Sequence, residues 1–246
     1  MKALKATLLP LLSVGCGGLV LSLRIILNRS RDALGLLPDG HICSILSYIL
    51  TAAFLAVLFL CVRPLKPISS YKVLFPASKL RAVGCGLAAV GFLYSGICAA
   101  GDGTVGIIML ILGILCALAM ANTALFRLTG TTPNGWLPML PVLYLMIHAV
   151  MQVRRWSATV QTSAYLFPLL AAVFLILAAY YHASLNIRRK GRRWFLFSSQ
   201  AALFFCCAAM ADNDPVFYLC MAGWMACDLC CLTNPRKREA PQEAQV

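Results

Sequence analysis

The sequence predicts an all-α fold, a polytopic transmembrane helical bundle of about eight spans. Of the 246 residues, 61% are hydrophobic and 12% are charged, whereas a soluble domain is about 45–50% apolar and about 25% charged. The apolar residues form runs of about 17–23 residues, the length at which a helix crosses a hydrocarbon core of roughly 30 Å. These runs lack the strict alternation of barrel strands. Helices are therefore the elements expected to satisfy the backbone hydrogen bonds within lipid.

Eight apolar segments are predicted to cross the membrane. In chain order they cover residues 7–27, 42–62, 82–100, 104–126, 137–153, 162–184, 194–211 and 216–233. The first is expected to be a retained span, because more apolar segments follow it and no clear small-residue cleavage site precedes a soluble domain. The fifth is the weakest, since it is short and carries Pro138 and Pro141 in its first turns. Proline is tolerated at a helix start but bends a helix interior.

Two connections are predicted to be tight helical hairpins. Residues 101–103 join the third and fourth spans, and residues 212–215 join the seventh and eighth; both consist of turn-forming residues. The spans form a single transmembrane domain over residues 1–233, followed by a short charged tail at 234–246. The loops also show a weak four-plus-four order. An internal duplication and the partial echo of any alternating eight-span chain are both consistent with that order.

The basic residues predict the orientation. The segment after the second span carries Arg63, Lys66, Lys72, Lys79 and Arg81, and the positive-inside rule places it in the cytoplasm. Alternation then puts both termini in the cytoplasm. Of the 21 Lys and Arg residues, the outer side keeps only Arg24, Arg29, Arg31, Arg154 and Arg155. The predicted partners are the lipid bilayer and anionic headgroups at the basic cytoplasmic loops. Nucleic acid is not expected, because the basic residues lie between apolar runs.

The fifth span carries the first candidate site. Tyr144, His148 and Gln152 recur every four residues and therefore lie on one face, which Arg155 continues at the outer end. Polar groups within a span usually face the bundle interior or a water-filled cavity. His148 there is suited to anion binding, proton transfer or pH sensing. The alternative is a histidine that only hydrogen-bonds a neighbouring helix.

A second candidate set lies nearer the predicted cytoplasmic face. It consists of Asn122, His182, Gln200 and Asp228. Asp228 is the only acid within a predicted span, so its carboxylate needs a partner or stays protonated. Arg127 and the basic cluster at 188–193 lie at a similar depth. A structural ion pair is the first expectation, and a site for a coupling ion or proton is the alternative.

The twelve cysteines predict no metal site and no cofactor. Cys227 and Cys230 form a C-x-x-C motif, but a zinc site normally needs a second such pair or histidines at ligand spacing. Most cysteines lie within apolar runs, where they are expected to act as small packing residues. The chain also lacks the H-E-x-x-H, G-x-S-x-G and Walker motifs. No catalytic residue is assigned.

Four segments resemble a group of uncharacterised bacterial multi-span membrane proteins. They run from Gly35 to His41, from Tyr71 to Ser78, from Arg155 to Ser157 and from Phe217 to Trp224. The resemblance implies a multi-pass protein of the bacterial cytoplasmic membrane and agrees with the predicted number of spans. It implies no activity and no catalytic residues.

Three functions remain open at this point. A non-catalytic sensor, accessory or partner-binding bundle is the first expectation, because it needs only a stable bundle with a basic inner surface. Such a protein would act with a membrane-protein partner or as a homo-oligomer. A small-solute or ion transporter requires Tyr144, His148 and Gln152 to line a shared cavity. A membrane enzyme is less favoured, since it requires His148, or Asp228 with the cysteines, to meet another titratable group.

Overall fold

The computed structural model of the chain describes residues 2–30, 41–63, 78–129, 136–156, 165–188, 191–212 and 214–232. The predicted tail at 234–246 and parts of the predicted loops lie outside these ranges. Every regular element in the described ranges is an α-helix. The prediction of an all-α fold is therefore confirmed for this part of the chain.

Eight helices follow one another in the described residues, one on each predicted segment. They are α1 (Lys2–Arg29), α2 (Ile42–Val62), α3 (Lys79–Ala99), α4 (Gly103–Thr129), α5 (Met139–Trp156), α6 (Leu166–Arg188), α7 (Arg192–Ala209) and α8 (Pro215–Leu232). Helix α5 begins one residue after Pro138, and Pro141 is its third residue. Both prolines thus lie where a helix has no backbone donor to lose.

Five of these helices are long and apolar enough to cross a membrane, namely α1, α2, α3, α4 and α6. Helices α5, α7 and α8 have 18 residues each. The first two include arginines at one end, and all three carry polar side chains on buried faces. A helix surrounded by protein needs less apolar surface than one that faces lipid, and of these three helices α7 packs against four others.

Helix α7 lies at the centre of the bundle. It packs against α1, α2, α6 and α8, and nearly every side chain from Phe195 to Ala209 is buried. Aromatic rings fill the interfaces: the centroids of Phe54 and Phe204 are 4.4 Å apart, and those of Phe174 and Phe205 are 5.2 Å apart. Stacked aromatic pairs of this kind add to the energy of area burial.

Helix α3 packs closely on both α4 and α8 and so connects these two helices. Two of its glycines pack directly against cysteines of α8. A Cβ atom added at Gly84 would lie 2.6 Å from the Cβ of Cys227, and one added at Gly91 would lie 2.8 Å from the Cβ of Cys220. Close helix packing in membranes relies on such small residues. Cys220 and Cys227 therefore have the packing role predicted for the cysteines.

The turn between α3 and α4 is as tight as its sequence predicts. Gly103 has a φ angle of 68°, a left-handed conformation that costs glycine little. A Cβ atom at Gly106 would lie only 2.1 Å from the carbonyl oxygen of Ala99. The two helices therefore approach closely at this turn, and Asp102 is held between them at the end of the bundle.

Candidate functional site

The bundle has two ends, which are named here after an acid at each. The Asp102 end holds the α3–α4 turn, the α7–α8 turn and the carboxyl end of α5. The Asp228 end holds the first residues of α3, α5 and α7 and the last turn of α8. The residues of the first candidate site lie toward the Asp102 end, and Asp228 lies near the other.

A cavity of about 160 Å³ opens at the Asp102 end between α3, α4, α5 and the start of α8. It is termed the Asp102 pocket. Its polar lining comes from Ser95, Asp102, His148, Gln152, Arg155 and Asp214. Arg155 lies seven positions after His148, so the pocket extends roughly 10 Å along α5 at a rise of about 1.5 Å per residue. Pockets for drug-sized ligands measure about 300–1,000 Å³, so this one fits a small molecule or a few waters.

A chain of hydrogen bonds lies along the deep wall of this pocket. The Tyr218 hydroxyl donates to Oε1 of Gln152 at 3.4 Å, and Nε2 of Gln152 lies 2.9 Å from Nε2 of His148. The amide nitrogen is a donor only, so this ring nitrogen accepts and the imidazole is neutral. Its other nitrogen, Nδ1, then carries the proton and faces the Ser95 hydroxyl at 3.4 Å. The chain joins α8, α5 and α3 and fixes the ring of His148.

The mouth of the pocket carries charge. Asp102 and Arg155 form an exposed ion pair that connects the α3–α4 turn to the end of α5. Asp214 also lines the pocket, and within the described ranges it forms no ion pair. A shallower surface groove beside the pocket shares Asp102 and Arg155 and adds Arg154. The pocket thus has polar neutral groups at its floor and charged groups at its opening.

Tyr144 lies one turn below His148 and closes the floor. Its ring is fully buried, 5.9 Å from His148 and 5.1 Å from Phe92 between centroids. The ring centroids of Phe92 and Trp224 are in turn 6.4 Å apart. The Tyr144 hydroxyl has no hydrogen-bond partner among the described residues. The structure therefore brings Tyr144, His148 and Gln152 onto one buried face, as their spacing predicts, and leaves Arg155 exposed at the mouth.

A second polar group surrounds Asp228 and is termed the Asp228 cluster. It contains Arg81, Arg127, His182 and Asp228, all of them buried. Nε of Arg81 and Nε2 of His182 each lie 3.9 Å from a carboxylate oxygen of Asp228. Nη2 of Arg127 lies 2.9 Å from Nε2 of His182. Because arginine only donates, His182 accepts this bond and is neutral.

The second predicted set is brought together only in part. His182 and Asp228 meet in the Asp228 cluster, with Arg127 as the predicted basic neighbour. Gln200 is also buried, but its Oε1 accepts a hydrogen bond from Ser13 of α1 instead. Asn122 is exposed on the outside of α4. Gln200 thus holds α1 to α7, and Asn122 faces the surroundings of the bundle.

Two buried arginines are absent from the sequence-based candidates. Arg81 was assigned to a basic loop, yet it lies in the first turn of α3 with no exposed surface. Arg24 was assigned to the outer side, yet its Nη2 lies 2.8 Å from Asp212 with both side chains buried. Asn28 donates to Asp212 as well, at 3.2 Å. In the sequence, these two arginines are marked only by their position in or beside an apolar run, and that position does not identify a partner.

Buried aromatic rings connect the pocket to the Asp228 cluster. Tyr144, Phe92 and Trp224 follow one another, and Trp224 lies 6.1 Å from the ring of His182. Nε1 of Trp224 and both carboxylate oxygens of Asp228 have no hydrogen-bond partner among the described residues. Buried polar atoms of this kind usually form hydrogen bonds with water or a ligand.

The chain matches no protein-family model, no curated protein and no solved structure. In the part of the chain that the structure describes, no three His, Cys, Asp or Glu side chains are grouped to hold a metal ion.

Proposed function

We propose that this chain is a multi-pass protein of the bacterial cytoplasmic membrane that binds a small polar ligand in the Asp102 pocket and acts as a non-catalytic sensor. All eight helices cross the membrane in this proposal, both termini are cytoplasmic, and the pocket opens to the outside. Five helices that are long and apolar enough to span support the membrane location. The basic residues that precede α3 and α7 support the orientation.

One observation carries the binding role. The Asp102 pocket reaches His148 and Gln152 from the end of the bundle and is closed beneath them by buried aromatic rings. A polar pocket with one opening and a packed floor holds a ligand without passing it on. The hydrogen-bond chain from Tyr218 to Ser95 connects that ligand to α3, α5 and α8, so occupancy alters contacts between helices.

A ligand screen on the purified full chain in lipid nanodiscs tests this role. A panel of small amines, amino acids, sugars and carboxylates at millimolar concentration is expected to contain a compound that raises the Tm, because a bound ligand stabilises the folded state. His148→Ala and Gln152→Leu should abolish that increase. Val150→Ala, an exposed position on the same helix, is the matched control. No stabilising compound, or an increase that both pocket variants retain, would contradict the proposal.

Transport is the second candidate function. It is favoured by buried polar atoms of Tyr144, Trp224 and Asp228 that make no hydrogen bond among the described residues. These atoms lie successively farther below the pocket. In a second conformation these groups would line a path toward the Asp228 end. Uptake of the stabilising compound into proteoliposomes distinguishes the two functions. A compound that binds but is not taken up identifies a receptor, whereas a compound that is taken up identifies a transporter.

A further inference from the structure

We infer that the Asp102 pocket selects a ligand that carries a positively charged group, such as a protonated amine. The inference rests on the proposed binding role of the pocket and names the chemical class of its ligand. Among the residues that the structure describes, three charged side chains line the pocket: Asp102, Arg155 and Asp214. Arg155 is matched to Asp102 in the ion pair at the mouth.

Asp214 is the carboxylate that remains to balance a cation. It lines the pocket directly before Pro215, the first residue of α8. A negative charge beside the amino terminus of a helix interacts favourably with the helix dipole. Within the described ranges no basic side chain lies within ion-pair distance of Asp214. A cationic ligand supplies the missing partner, while an anion at the same place is repelled by Asp214.

The neutral floor of the pocket suits the rest of such a ligand. Gln152 uses its amide to bind Tyr218 and His148, and His148 faces Ser95 with its protonated nitrogen. The Ser95 hydroxyl also lines the cavity and offers both a donor and an acceptor. The expected ligand is therefore a small amine with a further hydrogen-bonding group, held between Asp214 at the opening and Ser95 at depth.

Cys98 provides a built-in reporter of the charge inside the pocket. It lines the cavity and is an exposed free cysteine. The protein in nanodiscs is treated separately with a cationic trimethylammonium-ethyl and an anionic sulfonatoethyl methanethiosulfonate. Mass spectrometry of the Cys98 peptide gives each rate without changing the other cysteines. The ratio of the two rates, divided by the same ratio for free cysteine, measures the local potential.

The cationic reagent is expected to be favoured roughly ten-fold, because a carboxylate in the same small cavity attracts the cation and repels the anion. Asp214→Asn should bring the ratio close to one. Arg29→Gln, which removes an exposed charge in α1, is the matched control and should leave the ratio unchanged. Methylammonium chloride should slow labelling of Cys98 more than sodium acetate at equal ionic strength.

The possible results distinguish a failure of the cation preference from a failure of the proposed binding role. A ratio at or below one, or a ratio that Asp214→Asn does not change, overturns the preference for cations and leaves the pocket itself intact. Failure of both reagents to reach Cys98 in the folded protein, with labelling only after denaturation, means that the pocket is closed to water. That result overturns the proposed binding role together with the inference.

Discussion

Removing either member of the buried pair of Arg24 and Asp212 is expected to be among the most destabilising single changes in the bundle. Nη2 of Arg24 lies 2.8 Å from Asp212, both side chains are buried, and the guanidinium carbon lies 4.9 Å above the ring of Phe167. Removing one partner of a buried ion pair leaves the other charge uncompensated and costs about 3–5 kcal/mol. Arg24→Leu or Asp212→Leu should each lower the stability by this amount.

The assay is a thermal unfolding curve of the full chain in nanodiscs, read together with a double-mutant cycle. A cost of about 3–5 kcal/mol corresponds to a Tm decrease of roughly 6–20 °C in a chain of this size. The double variant should lose much less than the sum of the single variants, because it removes both charges together. Arg29→Leu is the matched control: the residue lies five positions later in α1 and is exposed.

Two results would refute this reasoning. A loss in Arg24→Leu no larger than that in Arg29→Leu would mean that the pair contributes nothing beyond a surface charge. Additive losses in the double variant would mean that the two residues act separately, for example through Phe167 and Asn28. Either result would also remove the main argument for close docking of α1 on the α7–α8 turn.

Two further predictions concern the packing and the Asp228 cluster. Gly84→Ala should cost about 1–3 kcal/mol by overpacking, since its Cβ would lie 2.6 Å from that of Cys227. Gly86→Ala, where nothing lies within 4 Å, should be neutral or stabilising, and equal Tm values for both variants would contradict the packing described. Asp228→Asn should cost about 3–5 kcal/mol because it leaves buried arginines without their carboxylate. Asp102→Asn, in an exposed pair, should cost at most about 1 kcal/mol, and unfolding in denaturant measures the difference.

The positions of the helices could be predicted well because each depends on a local property. A run of apolar residues of spanning length forms a helix in lipid whatever its neighbours are. The charge-free run that became α4 and the glycines that became the α3–α4 turn are examples. The four-residue spacing of Tyr144, His148 and Gln152 also predicted one shared face, because the period of a helix is local information.

The partners of the polar residues could not be predicted in the same way. Arg24 and Asp212 are separated by 188 positions, so no spacing rule connects them. Asn122 and Thr123 are adjacent, yet Thr123 is buried and Asn122 is exposed. Adjacent residues of a helix point in directions about 100° apart. In a helix that is apolar all round, the rotation of the helix about its own axis therefore decides which polar side chain faces inward. That rotation depends on packing against other helices, which the sequence of one segment does not contain.

Helix α5 provides the sharpest test of the proposed eight crossings. It carries two prolines at its start and two arginines at its end, and so is less apolar than the helices that meet the criteria for spanning. Its polar residues face the bundle, since Tyr144, His148 and Gln152 are buried while Leu143, Met146 and Val150 are exposed. In the proposed arrangement this outward, apolar surface is the one that would face lipid.

If α5 crosses the membrane, its two ends are on opposite sides. In a variant whose exposed native cysteines have been replaced, we expect a cysteine introduced at Trp136 to be protected from a membrane-impermeant thiol reagent in intact cells, and a cysteine introduced at Arg154 to react. Both positions are exposed in the bundle, so burial does not explain a difference. Reaction at both positions would mean that α5 lies at the surface or re-enters from the outside. The Asp102 pocket would then lose one wall, and the binding role would fail with it.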